Sequence, residues 1–410
     1  MKGVTYMIKP QTLKGFRDFL PEEASKRQRV IGIFRSVFAR FGFEPLETPA
    51  LEYAETLTGK YGTEADKLLY LFKDNGGRDV GLRYDQTVPL SRVMAQYQDI
   101  PLPFKRYQIQ PVWRAENTQR GRFREFLQCD IDIIGAPSEM ADVEIITTTI
   151  EALRSLNLPN PIITINDRTL FDYYKVTKQE ITIIDKMNKI GKDAVIELLE
   201  KGGRKDSKNL FSMFEKSAPT AKLKTIFTML SSQGYKEGVD YEFSPFLARG
   251  LDYYTSTIFE ARIPSYSAGS IAGGGRYDNL IGVFSGKSLP AVGIAFGFDR
   301  IIEILTEQQL MTSTNSDTMI LVTVFDETSR IASGETASQL RTVGINTDVY
   351  LDQAKLEKQL KYADKKNIPY VVVLGPDEIA KGVVQLKNMK KRTSEIITTN
   401  EVIAKLTKDN

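Results

Sequence analysis

The residues best suited to chemistry lie in 104–135, FKRYQIQPVWRAENTQRGRFREFLQCDIDIIG. The pattern reads as two strands, 104–115 and 122–134, joined by a polar loop at 117–121. Side chains alternate faces along a strand, so parity sorts the second one. Arg122, Arg124, Phe126, Gln128, Asp130 and Asp132 share one face; Phe123, Glu125, Leu127, Cys129, Ile131 and Ile133 share the other. Apart from Glu125 the second face is apolar and suits a core. In the first strand Arg106, Gln108, Gln110, Arg114 and Glu116 oppose Tyr107, Ile109 and Trp113. Arginine forks suit phosphate, an aromatic suits a stacked base, and acids suit an amine. A face this charged is either the solvated side of an antiparallel sheet or the floor of a polar site.

Histidine is absent from all 410 residues. That removes His-based acid–base catalysis, Ser-His-Asp triads and His-ligated zinc. What remains is Arg, carboxylate, Gln and Tyr chemistry, with Mg²⁺ as a possible helper. Cys129 is the one cysteine, which excludes an internal disulfide and fits a reducing compartment. A net charge of +3 is too weak to announce a nucleic-acid binder, so any RNA contact must come from local clustering. With 41% hydrophobic and 26% charged residues the composition is that of a soluble globular chain, and its length predicts two or three domains. No apolar run is long enough to predict a membrane span or a secretion signal.

Other candidates lie outside the central hairpin. Asp85 and Thr87, two apart, would share a strand face and grip an ammonium; before a helix the same pair would be an N-cap. Arg249 stands among Leu247, Leu251 and aromatic residues, where a charge is either paired or functional. The Gly273–Gly274–Gly275 run before Tyr277 reads as a bulge or tight hairpin. Gly282 to Ser288 looks like a phosphate-binding loop but has three residues between its glycines where four are needed, and is rejected.

The elements that must hold these residues follow from periodicity and punctuation. A helix of about 20 residues starts at Pro21 and stops before Gly42, with Val30, Phe34, Val37, Phe38 and Phe41 as its apolar stripe. A proline-interrupted strand follows at 43–50, then a hairpin, 68–74 with 79–84, about Asn75-Gly76-Gly77. Ser138 caps a helix reaching Leu156. Residues 170–240 are Lys-rich and helical in pattern, 241–281 return to strands, and 291–300 form a small-residue strand entering a helix. After a polar linker at 311–317, strands at 318–325, 345–350 and 369–374 alternate with helices at 327–342 and 353–366, a small α/β domain. Its basic cluster is Lys387, Lys390, Lys391 and Arg392.

Trp113-Arg114-Ala115-Glu116 with Gly121-Arg122-Phe123-Arg124-Glu125-Phe126 resembles motif 2 of the class II aminoacyl-tRNA synthetases. Phe126-Leu127-Gln128-Cys129-Asp130-Ile131-Asp132 is similar to the histidyl-tRNA synthetases. So are Arg249-Gly250-Leu251-Asp252-Tyr253-Tyr254-Thr255 and Ala272-Gly273-Gly274-Gly275-Arg276-Tyr277-Asp278, which look like that family's two histidine-site signatures. Residues 43–50 resemble motif 1, its dimer interface, and 291–300 resemble motif 3. The resemblance covers most of the chain. It implies an α+β catalytic domain with an antiparallel sheet flanked by helices (1–168 and 241–310), a helical insertion (169–240) near the tRNA acceptor arm, a linker (311–317) and an anticodon-binding α/β domain (318–410).

The same resemblance implies an ATP-dependent ligase that joins histidine to its tRNA through histidyl-adenylate, with Mg²⁺, as a cytoplasmic homodimer away from membranes. Arg114 and Arg249 would flank the α-phosphate as catalytic residues. Arg122 and Arg300 would hold the outer phosphates with Mg²⁺, and Phe126 would stack adenine with Glu116 near its amino group. Asp85, Thr87 and Gln128 would take the ammonium, and Asp132 and Tyr254 the imidazole, with Tyr277 beside them. No protein-borne metal site is implied. Many relatives have Glu at the place of Asp85 and His or an aromatic at Leu127. The alternative is a non-catalytic regulatory subunit of ATP phosphoribosyltransferase, a paralogue expected to lack the tRNA-binding domain and to degrade the Arg249 signature. A third class, an RNA-binding module without catalysis, would not need two phosphate-facing arginines and an acid-lined pocket. A His-free enzyme further implies that a pH inflection near neutrality in kcat/KM belongs mainly to the substrate's imidazole.

Overall fold

The computed structural model describes residues 9–58, 68–118, 122–249, 253–266, 269–311 and 317–407. Residues 119–121 of the predicted loop, 250–252 of the first histidine-site signature and 312–316 of the predicted linker lie outside them. The chain divides into two compact units: the described residues up to Phe19 with Arg27–Leu310, and Leu20–Lys26 with Met311 onward.

The first unit carries β1 (Glu44–Pro45), β2 (Leu51–Tyr53), β3 (Tyr70–Lys73), β4 (Asp79–Leu82), β5 (Phe104–Trp113), β6 (Glu125–Ile134), β7 (Ile162–Asp167), β8 (Tyr241–Phe243), β9 (Thr257–Arg262), β10 (Ala272–Arg276) and β11 (Ala291–Gly297). Eight of these make one sheet in the order β1-β5-β6-β11-β10-β9-β7-β8, and β2-β4-β3 make another. Only the outer pairs of the large sheet, β1 with β5 and β7 with β8, are parallel. The remaining pairs are antiparallel.

The helix Pro21–Arg40 covers one face of this sheet. Glu22 and Glu23 in its first turn and Arg40 in its last complement the helix dipole. Its buried stripe is Val30, Ile31, Phe34, Val37 and Phe38, with Arg27 also buried. Phe34 packs on Phe296 of β11 with ring centroids 5.0 Å apart, and Phe38 on Tyr107 of β5 at 5.6 Å. Phe41, predicted within the stripe, lies past the last helical turn and is only half-buried. Truncating Phe34, which is fully buried, would cost about 3–5 kcal/mol. Because this helix occupies the apolar face of β5, β6 and β11, their polar side chains must face the other way.

The helix Glu139–Ser155 follows β6 as predicted, but Ser138 makes no side-chain capping bond. Its carbonyl instead accepts from Arg276 Nη2 at 3.1 Å. Residues 169–232 form a run of short helices whose core, including Phe171, Phe211 and Phe214, is continuous with Leu247, Ala248 and Tyr254. The insertion thus supports the segment that bears Tyr254.

The second unit is a five-stranded sheet of β12 (Ile320–Val322), β13 (Thr347–Val349), β14 (Tyr370–Val373), β15 (Val384–Asn388) and β16 (Thr393–Ile397), in the order β13-β12-β14-β15-β16. The three predicted strands are parallel neighbours, with the helices Glu327–Thr342 and Leu356–Lys365 between them in the chain. The β15–β16 hairpin was not predicted, because its buried Val384 and Leu386 sit beside the basic run that reads as a surface. Among the described residues no helix is long and apolar enough to cross a membrane.

Candidate active site

The charged face of β5 and β6 is a buried floor rather than a solvated one. Arg106 and Gln108 are fully buried, and Gln128, Asp130 and Asp132 nearly so. Strand register explains what surrounds the acids. On one side β5 sets Arg106 opposite Asp132, Gln108 opposite Asp130 and Gln110 opposite Gln128. On the other, β11 sets Gly293 opposite Asp132, Ala295 opposite Asp130 and Gly297 opposite Gln128. One flank thus supplies a cation and amides, and the other almost no side chain. A cavity opens there, lined by Thr87, Asp130, Asp132, Tyr254 and Tyr277 together with Gly273, Gly274 and Gly293.

The absence of a Cβ matters at several positions, two of them against charged side chains of the site. A Cβ on Gly293 would collide with the Asp132 carboxylate, and one on Gly273 with the Arg249 guanidinium. The glycine run at 273–275 is therefore neither bulge nor hairpin. It is part of the buried central strand β10: Gly273 leaves room for Arg249, while a Cβ on Gly274 would meet the Gly293 carbonyl of β11 and one on Gly275 the Thr257 carbonyl of β9. Arg249 pairs with Glu260 of β9 at 2.5 Å and faces the Tyr254 ring at 6.0 Å. Burial opposes its charge, but Tyr254 and Glu260 more than restore it, so the guanidinium stays protonated. Its Nε is buried without a hydrogen-bond partner among the described residues.

At the far end of β6, Asp132 accepts a hydrogen bond from the Tyr277 hydroxyl. Arg106 Nη2 stands 2.8 Å from its other oxygen, close enough for charge pairing but without hydrogen-bond alignment. Burial raises the Asp132 pKa while Arg106 and Tyr277 oppose the rise. Tyr277 is itself placed by Arg276, whose buried guanidinium pairs with Asp142 and donates to Ala136 O at 3.1 Å.

Asp85 and Thr87 do not lie on a strand. Thr87 opens the helix Thr87–Gln96, whose N-cap residue is Gln86, and Asp85 just before it accepts from Val88 N at 3.1 Å, so Asp85 closes the first turn as a cap would, from one residue further out. Burial pushes the Asp85 carboxyl up to about 6, with the Val88 N–H and Arg114 pulling the other way. Between them Gln86 Nε2 donates to Gln110 O at 2.9 Å and Gln128 O at 3.0 Å, sewing this turn onto the middle of β5 and β6.

The residues expected to face the nucleotide gather at the other end. Phe126 and Asp132 are about 20 Å apart along β6, at about 3.3 Å per residue. Arg114 donates from Nε to Tyr84 O at 3.0 Å, with its guanidinium 5.0 Å from the Phe126 ring centre. Arg122 pairs with Glu116 at 3.3 Å, so these two expected ATP contacts also hold each other. Arg300, in the first turn of the helix Phe298–Glu307, donates to Ser270 O at 2.6 Å. The structure thus brings Asp132, Tyr254, Tyr277 and Thr87 to one cavity, and Arg114, Phe126, Glu116 and Arg122 to the loop end of the hairpin.

Sequence reasoning gave no role to Glu260, Gln86, Arg106 or Asp130. For Arg106 and Asp130 parity had already put them on the right face. The partnership of Arg249 with Glu260 left no local signal, because it spans a strand pairing. Among the described residues no group of three or more Cys, Asp or Glu side chains could hold a metal ion.

Comparison with known proteins identifies the family. A family model described as Histidyl-tRNA synthetase matches residues 15–182 and 204–301, and an Anticodon binding domain model matches 320–409. The histidine–tRNA ligase of Cytophaga hutchinsonii is 38% identical over 453 aligned positions, covering 98% of this chain and 100% of that one. The crystal structure of histidyl-tRNA synthetase from Nostoc sp. PCC 7120 superposes with a TM-score of 0.86 at 28% identity, covering 98% of this chain and 100% of the other. A structure titled as an ATP phosphoribosyltransferase regulatory subunit/histidyl-tRNA synthetase, from Bacillus halodurans, shares the fold at a TM-score of 0.73 and 22% identity, over 90% of this chain and 99% of that one. A histidyl-tRNA synthetase match in two blocks of the chain, followed in sequence by an anticodon-binding match, together with the 38% identical ligase, means that the chain belongs to the histidyl-tRNA synthetase family.

Proposed function

We propose that the chain activates histidine with ATP and transfers the histidyl group to the terminal ribose of its tRNA. In the first step a histidine carboxylate oxygen bonds to the α-phosphorus and pyrophosphate leaves. The carboxylate is already an anion, so no general base is needed and a chain without histidine can do the chemistry. Catalysis is then placement plus neutralisation of charge around phosphorus. The observation that carries the reading is Arg249: half-buried, protonated, seated on Gly273 and with a buried Nε unspent among the described residues, it is a fixed cation awaiting an oxyanion. Arg114 approaches from the Phe126 side.

In this reading Asp85, Thr87 and Gln128 take the ammonium, and Asp132, Tyr254 and Tyr277 the imidazole. Phe126 and Glu116 receive adenine, and Arg122 and Arg300 the outer phosphates. Mg²⁺ belongs to the substrate as MgATP, in keeping with its usual binding through phosphates and one or two carboxylates. A homodimer is part of the proposal. Supporting it are the edge position of β1 and the exposed Leu51, Tyr53, Leu71 and Phe72 on the small sheet. Sedimentation giving a monomer would remove the dimer from the reading. A cytoplasmic location is proposed on the single buried thiol of Cys129, which suits a reducing compartment.

ATP–pyrophosphate exchange with each of the twenty amino acids is the test, followed by charging of tRNA. Exchange driven by histidine alone supports the proposal; no exchange with any amino acid leaves the regulatory-paralogue reading. Against that second reading stand the Arg249 seat and the anticodon-domain match over 320–409.

A further inference from the structure

Asp130 is 2% exposed and lines the same cavity as Asp132 and Thr87, yet its carboxylate is only half engaged. Gln128 Nε2 donates to Oδ2 at 2.9 Å. Among the described residues Oδ1 is buried with no hydrogen-bond partner. The side chains that could have satisfied it are committed elsewhere. Gln108, its β5 neighbour, gives its amide to Thr48 Oγ1 at 2.8 Å and to Gln110 Oε1 at 2.6 Å. Arg106 turns to Asp132 and to Gln108 Oε1, reaching Asp130 only at 4.0 Å. On the β11 side stands Ala295, which offers nothing. A buried carboxylate oxygen left bare costs several kcal/mol unless something completes it.

We infer that Asp130 contacts substrate, its free Oδ1 accepting a hydrogen bond from the α-ammonium of the bound amino acid and sharing that charge with Asp85. The inference rests on the histidine-activation reading above. Position favours the ammonium over the imidazole. The Asp85–Thr87 turn is tied by Gln86 to the backbone of Gln128, two residues from Asp130, whereas the tyrosine end of the cavity belongs to Asp132. Charge favours it as well. Asp85, Asp130 and Asp132 act on one another, and Arg106 and Arg114 are the cations that oppose them, so the set lacks one positive charge. A neutral ring does not supply it. An ammonium does, and its three donors can reach Asp85, the Thr87 hydroxyl and the hydrogen-bonded Gln128–Asp130 pair.

The test compares histidine with 3-(imidazol-4-yl)propionate, which keeps ring and carboxylate but lacks the amine. Asp130→Asn keeps the shape and can still accept from Gln128. Its KM for histidine in pyrophosphate exchange should rise about 10- to 100-fold, the scale of a lost charged hydrogen bond. Its inhibition constant for the deamino compound and its ATP affinity should not move. Parallel weakening of both imidazole compounds, or an unchanged KM for histidine, overturns the inference. Should Asp130→Asn lose ATP affinity, Asp130→Glu carries the test. Retained preference for histidine over the deamino compound supports the contact, and loss of that preference overturns it. Wild-type protein without histidine-dependent exchange would sink the underlying reading instead.

Discussion

The pH dependence of histidine activation is where the structure changes the expectation most. From sequence alone, an inflection near neutrality belongs to the substrate, because the protein has no imidazole. The structure puts protein groups in that window: burial pushes Asp85 up to about 6 and Asp130 up to about 7. Asp130 is faced by Arg106 from β5, by Asp132 and Gln128 on its own strand, and by Asp85 from the turn before Thr87. Asp85 is faced by Arg114, Arg106 and Asp132. These acids repel one another, so the profile reports apparent values of the set. Cys129 drops out, since burial takes its thiol well above this range. If both carboxylates must be ionised to receive an ammonium, kcat/KM rises with pH. Between pH 8 and pH 5 it should fall about 10³-fold, tenfold for Asp85 and a hundredfold for Asp130. A substrate imidazole near 6.5 that must be neutral gives only about 30-fold. Pyrophosphate exchange with histidine and with triazolylalanine, whose ring is far less basic, separates the two. The steep limb should persist with the analogue, and in Asp130→Asn it should shrink to the single step of Asp85. A flat profile with triazolylalanine would return the inflection to the substrate and refute the assignment to buried acids.

Three further outcomes are expected. Arg249→Ala should lower kcat about 10²-fold or more, the scale of a lost oxyanion donor, with little change in the KM for histidine; near-normal turnover would remove Arg249 from the chemistry. Asp132→Ala should cut histidine activation by about 10⁴-fold at unchanged ATP affinity, because the partner of the bound ring is gone. Wild-type discrimination against glutamine and phenylalanine in that variant would move selectivity to Tyr254 and Tyr277. Gly293→Ala should drive Asp132 off its position, with an overpacking cost of about 1–3 kcal/mol and weakened histidine binding at intact ATP affinity, and calorimetric titration of both ligands checks it.

Much of this site was readable because a strand converts parity into a face. The polar set Gln108, Gln128, Asp130 and Asp132 was picked out by counting alone, and so was the apolar set that meets the helix Pro21–Arg40. Parity cannot say whether a charged face meets water, though. That answer lies with β11 and β10, whose small residues are neighbours of the acids only through sheet order. The glycines of β10 were legible as an oddity, with a bulge or hairpin as the local alternative to a strand in the site. Short-range reasoning attributes glycine to backbone freedom, while here the need is space, for Arg249 over Gly273 and for the neighbouring strands at Gly274 and Gly275. Asp85 shows the converse case. Its bond to the first turn of the helix was a local property and was foreseen, whereas its burial depends on Gln86 fastening the turn to β5 and β6.

The unevenness of the two flanks explains how the cavity can be both acidic and preorganised. On the β5 side the amides of Gln108 and Gln110 and the guanidinium of Arg106 hold one another and Asp132, so the floor is rigid before any ligand arrives. On the β11 side Gly293 and Ala295 leave the acids bare. Without ligand this arrangement is costly. A carboxyl whose folded pKa lies above the ordinary 3.8 contributes its full share of stability only below that value, and loses it as pH rises through the folded pKa. For Asp85, a rise from 3.8 to about 6 corresponds to about 3 kcal/mol given up by neutral pH. A bound ammonium reverses the sign, since it favours the ionised acids and returns that free energy as affinity. The buried acids are thus a weakness of the empty fold that becomes selectivity for a cationic substrate, and the small residues of β11 and β10 are what keep the site open to it.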